Sequence, residues 1–154
     1  MDGVFNCDEY EVTMKVEDLE MEIGWLTRDG NLMFAVKSVG KGWVAVGFDP
    51  TTMMRNANII IGDVTEDGTI NIEDHFGVAN TAHRKDDENN ILQAAGTENE
   101  DGTVLEFVIP LNSGDDMDRV LELGQEYKVI LAYHMSDDGF KIRHSNRTSV
   151  NITF

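Results

Sequence analysis

Two adjacent methionines, Met53 and Met54, stand in the polar connector Asp49-Pro-Thr-Thr-Met-Met-Arg-Asn56. Methionine ordinarily fills irregular gaps in cores, so packing beneath the loop is one reading. The other is a thioether ligand, because soft sulfur suits haem iron or Cu(I) rather than the hard cations that take oxygen. Four histidines, His75, His83, His134 and His144, are candidates for a second ligand. No two of them stand at zinc-ligand spacing from one another. His75 and His83 lie in acidic stretches and read as surface residues. His144 lies in Phe140-Lys-Ile-Arg-His-Ser-Asn-Arg147, ahead of the last strand signal. The single Cys7 cannot form an internal disulfide, and no Cys-x-x-Cys-His is present for covalent haem attachment. Any haem would therefore be held by coordination and packing alone.

Other constellations are weaker. Asp63, Thr65, Asp67-Gly68 and Asp74 mimic a calcium loop in spacing, but they fall across a hairpin signal and lack the terminal Glu. The runs Asp86-Asp-Glu88 and Asp115-Asp116-x-Asp118 read as solvated loop faces. There is no Gly-x-Ser-x-Gly elbow, no Gly-x-Gly-x-x-Gly and no Walker loop, so acyl transfer and nucleotide chemistry have no support.

The elements that must position these residues are strands. Period-two or β-branched runs cover 11–16, 20–26, 32–39, 43–48, 57–62, 69–74, 91–96, 103–109, 127–133 and 148–154. Asp29-Gly30, Asp67-Gly68 and Asp101-Gly102 sit between such runs and signal hairpins. The pattern predicts an all-β fold, an antiparallel β-sandwich of about ten strands formed by one domain over residues 1–154. Residues 1–10 read as a loose terminus. Only 115–123 suggests a helical turn, and 49–56 and 77–90 are the irregular connections where function tends to sit.

Composition narrows the partners. The chain carries 29 acids against 12 bases, a formal charge of −17. Such a surface repels a phosphate backbone and disfavours nucleic acid; it would steer a basic partner into an encounter. No apolar run reaches the length of a membrane-spanning helix. The N-terminus shows neither a basic nor an apolar region of a signal peptide.

In order along the chain stand Gly42-Trp-Val-Ala-Val-Gly-Phe48, Met54-Arg-Asn-Ala-Asn-Ile-Ile-Ile-Gly62, Asp67-Gly68, Asn90-Ile-Leu-Gln-Ala-Ala-Gly96, Leu105-Glu-Phe107 and Phe140-x-x-x-His144-x-x-Arg147. Together they resemble the DOMON domain, relatives of which include the cytochrome domain of cellobiose dehydrogenase. The resemblance implies a non-enzymatic, b-type cytochrome domain that binds one haem b and serves electron transfer. It places the axial ligands on Met54 and His144, with Met53 and His134 as alternatives. It also implies an extracytoplasmic setting (secreted, periplasmic or cell-surface) and a redox partner protein or membrane cytochrome with a basic docking surface. Phe48, Phe140, Met33 and Met53 are candidate wall residues, and Arg55, Arg143 and Arg147 candidate partners for propionates. The same fold also hosts carbohydrate-binding modules without haem. That alternative requires exposed aromatics, whereas alternation points most of Trp25, Trp43 and the tyrosines inward.

Overall fold

The structure, a computed structural model, describes Met1–Phe154. Its strands are β1 (Val12–Val16), β2 (Met21–Arg28), β3 (Asn31–Ser38), β4 (Val44–Phe48), β5 (Asn58–Val64), β6 (Ile70–Ala79), β7 (Ala82–Lys85), β8 (Gln93–Asn99), β9 (Gly102–Pro110), β10 (Glu126–Tyr133) and β11 (Asn146–Thr153). They form two antiparallel sheets, ordered β1-β2-β3-β9-β8 and β11-β10-β4-β5-β6-β7. The expected sandwich is present with one strand more than the alternation signalled. The addition, β7, lies inside the 77–90 connection. Its sequence Ala-His-Arg-Lys has no apolar alternation, and it pairs as an edge strand across a register shift between Phe76 and Ala79.

Turn chemistry places the hairpins where the Asp-Gly pairs predict. Asp29 and Gly30 both have positive φ, 53° and 77°, the requirement of a two-residue primed turn whose twist matches its strands. The 115–123 stretch, in contrast, contains turns and no helix. The helical segments are two single 3-10 turns, Cys7–Glu9 and Glu17–Leu19. The N-terminal residues are not loose: the Asp2 and Gly3 amides donate to Glu106 Oε2 at 2.9 and 2.7 Å, and the Tyr10 hydroxyl donates to Glu106 Oε1.

The core lies between the sheets. β5 is buried along its whole length, as befits a central strand read from a continuous apolar run. Phe34 of β3 and Phe107 of β9 stack at 5.7 Å, and Phe48 of β4 meets Phe34 edge-on at 5.4 Å from the opposite sheet. All three rings are essentially inaccessible, each contributing about 1.5–3 kcal/mol through burial. Phe34→Ala is expected to lower unfolding stability by about 3–5 kcal/mol, read from the denaturant midpoint. A loss near that of a surface substitution would contradict this packing.

Candidate functional site

The loop 49–56 leaves β4 at Phe48 and returns as β5. Asp49, Met53 and Asn56 have φ of 49°, 55° and 62°, left-handed values that non-glycine residues seldom adopt. Tethers hold that path. The Thr51 amide donates to the Arg55 carbonyl at 2.9 Å, the Asn56 amide to the Gly77 carbonyl at 2.7 Å, and the Met54 amide to the Asn80 carbonyl at 3.3 Å. A Cβ on Gly77 would lie 1.6 Å from the Met54 carbonyl oxygen, so only glycine permits this approach. Arg119 donates to Asp49 Oδ2 at 2.9 Å and fastens the loop to the 111–125 connection. Met53 is exposed and Met54 half-buried. Phe48 is not a wall residue here: it belongs to the aromatic core, packed on Phe34, Phe107 and Phe154.

His144 sits on the connection from β10 to β11. The Ser145 amide donates to the Tyr133 carbonyl, and the Met135 amide donates to Ser145 Oγ at 3.0 Å, so Met135 and the His144 segment are held side by side. His144 is half-buried, and its Nδ1 is buried without a hydrogen-bond partner. Burial, then the charges of Arg147 and Arg143, holds its pKa below the ordinary histidine value. His134 differs: its Nδ1 already accepts the Ser136 and Asp137 amides at 3.2 and 2.9 Å. Phe140 is half-buried, and Met135, Ile142, Arg143 and Arg147 are exposed.

The structure does not bring Met54 and His144 together. Phe48 stands opposite Asn58 and Val129, and Asn58 opposite Phe76, whereas Val44 stands opposite Tyr133, which faces Asn146. Loop 49–56 therefore hangs from one end of the six-stranded sheet and His144 from the other. The four-residue step along β4 alone spans roughly 13 Å, and β6 and β11 are separated by four strand spacings of roughly 4.8 Å. Two axial ligands must meet on opposite sides of one iron, so this pair does not fit as the chain is folded. Met53 and Arg55 share the Met54 end. His134, Phe140, Arg143 and Arg147 share the His144 end.

Two further groupings were not foreseen. His75 is buried and His83 half-buried, not surface residues: their Nδ1 atoms are 2.8 Å apart, His75 Nε2 lies 2.8 Å from Glu73 Oε2, and Lys85 donates to the other oxygen of that carboxylate, Oε1. Their i, i+8 separation conceals this contact, which exists only because β7 folds back on β6. The acidic runs also depart from a solvated face, since Asp86 and Asp118 turn inward to meet Asp74. An aspartate at an inward strand position, as Asp74 is after Ile70 and Ile72, was the available signal.

These two sheets, with their chemistry carried on the end loops, define a DOMON-type sandwich. The DOMON domain model matches residues 17–134, and the chain belongs to the DOMON family. The matched stretch includes Met54 and ends at His134, before His144. In fold the chain is similar to the cytochrome b domain of pyranose dehydrogenase from Coprinopsis cinerea, with TM-score 0.66 and 10% identity, covering 92% of this chain and 80% of that one. It is also similar to the cytochrome domain of Myriococcum thermophilum cellobiose dehydrogenase, with TM-score 0.61 and 12% identity, covering 92% and 87%. In sequence it is 32% identical over 128 residues to DBH-like monooxygenase protein 1 of Homo sapiens, and 32% over 115 residues to that of Mus musculus. These matches cover 81% and 75% of this chain but only 21% and 18% of the relatives, so it spans about a fifth of their length.

The histidine pair gives a testable linkage. Burial first, and the charge of His75 second, hold His83 below its ordinary value of 6.5. A depressed histidine contributes stability that is present above its unfolded pKa and lost as pH falls through the folded value. Unfolding midpoints are expected to drop between about pH 7 and about pH 5, and to drop less in His83→Gln. Parallel profiles for the two proteins would show that the pair carries no such linkage.

Proposed function

We propose that this domain binds one haem b without covalent attachment and serves electron transfer, with His144 as an axial ligand. The state of His144 carries the reading. Burial and the charges of Arg147 and Arg143 disfavour the protonated form of this half-buried imidazole, and its Nδ1 makes no hydrogen bond; iron takes histidine in its neutral form. The same connection supplies apolar surface, since Met135 and Ile142 are among the large apolar residues the fold leaves exposed and Phe140 is half-buried. Arg143 and Arg147 are close enough for their charges to act on the ring, and guanidinium groups suit propionates. The thioether at this end is Met135, held beside Ser145, and in this reading it replaces Met54 as the second ligand.

Bound there, haem b supplies a one-electron couple whose potential a thioether ligand raises. The chain positions the His144 segment through the Ser145 amide bond to the Tyr133 carbonyl, and Phe140 on the same connection is half-buried. Were His144 and Met135 both to hold the iron, they would leave it no open position for a substrate, which favours electron transfer over catalysis. Its excess of acids favours a redox partner protein or membrane cytochrome with a basic face, in an extracytoplasmic setting. No helix of the chain is long and apolar enough to cross a membrane.

A haem-free accessory module is the second reading, favoured by the separation of Met54 from His144. A sugar-binding form of it is disfavoured, because Trp25, Trp43, Tyr10 and Tyr133 are all buried. Haemin titration followed by absorption separates the readings. We expect stoichiometric uptake with a sharp Soret band and split α/β bands on reduction. His144→Ala should lose the low-spin spectrum, Met135→Ala should turn it high-spin, and Met54→Ala should keep it. No stoichiometric uptake overturns the proposal, and loss of the spectrum in Met54→Ala with His144→Ala unaffected overturns the ligand assignment.

A further inference from the structure

Asp74, Asp86 and Asp118 come from three separate stretches: β6, the residue after β7, and the 111–125 connection. Asp74 stands opposite Ile60, on the inward face of β6. It is 2% exposed and Asp86 8%, while Asp118 is half-buried. Ionised carboxylates at such depth are costly unless something compensates their charge. No lysine, arginine or histidine does so. The ion pairs of the chain join Lys15 to Glu17, Lys37 to Glu22, His75 and Lys85 to Glu73, Arg84 to Asp87 and Arg119 to Asp49.

Backbone amides take only part of the capacity. Asp74 Oδ2 accepts the Asn90 amide at 2.9 Å, and Asp86 Oδ1 accepts the Glu88 amide at 3.1 Å. Asp74 Oδ1, Asp86 Oδ2 and Asp118 Oδ1 are buried with no partner at all. One carboxylate oxygen from each residue lies within 4.8 Å of the other two. Oxygens bound to one calcium ion at about 2.4 Å stand at most about 4.8 Å apart, so the three can share a single ion with little adjustment.

We propose that Asp74, Asp86 and Asp118 bind one calcium ion, which fastens the β6–β7 edge to the 111–125 connection. The donors are all oxygen, which selects a hard cation over zinc or copper. Magnesium keeps several of its waters, and a site in which two of three carboxylates are more than nine-tenths buried has little room for them. Calcium tolerates irregular ligand sets drawn from loops, and Ser113 and Asn90 lie alongside Asp118 with further side-chain oxygens. The site is independent of the haem reading.

The test is thermal unfolding and equilibrium dialysis of the whole chain, stripped with a chelator and then given calcium or magnesium. Calcium is expected to bind one per chain and to raise the midpoint by several degrees. Asp118→Asn is expected to bind at least about tenfold more weakly, yet to match or exceed the wild type in metal-free stability, because it removes an uncompensated buried charge. Asp74→Asn should behave likewise, and circular dichroism confirms that each variant folds. No calcium uptake, a response to magnesium equal to that to calcium, or an undiminished response in Asp118→Asn would each overturn the assignment.

Discussion

The contact of Phe48 with Phe34 and Phe107 locks the two sheets face to face and, with them, the direction in which β4 runs. Once Phe48 is committed to the interior, the chain must leave β4 at that end, and the loop 49–56 has no other place to go. β10 and β11 follow in strict antiparallel register, so the connection bearing His144 emerges at the far end. The distance between the two candidate ligand loops is thus a property of the core, not of the loops.

Much of the sandwich was legible because its signals are local. Asp29-Gly30 needs positive φ at both positions, and the Ile59-Ile-Ile61 run needs burial on both faces; each is decided by its own residues. β7 escaped notice because Ala82-His-Arg-Lys85 owes its extended form to pairing with β6 rather than to its composition. The site was harder to read for the same reason. His144 was distinguished from the other histidines by the family resemblance alone, and the burial of its unpartnered Nδ1 is set by the fold rather than by its neighbours in the chain. That Met54 lies at the opposite end depends on pairings among β4, β5, β6, β10 and β11, which no spacing in the chain reveals.

Buried carboxylates show the two ways a very acidic chain can hold charge inside. Glu106 is fully buried, but the Asp2 and Gly3 amides and the Tyr10 hydroxyl converge on it, and so the N-terminal segment is drawn onto the sheet. Asp74, Asp86 and Asp118 have no comparable set of donors. The contrast separates a carboxylate satisfied by the protein itself from a group that awaits a counter-charge.

Three of the five non-glycine residues with left-handed backbone fall in the loop 49–56, and the tethers that impose this shape come from the β6–β7 turn and from Arg119. The loop's path is therefore borrowed from its surroundings rather than encoded in its own preferences. At Gly77 the Met54 carbonyl occupies the space that a Cβ would fill, so the loop and the sheet edge are in direct backbone contact there. The most chemically conspicuous residues in the sequence are therefore held in place by a strand edge that they never enter.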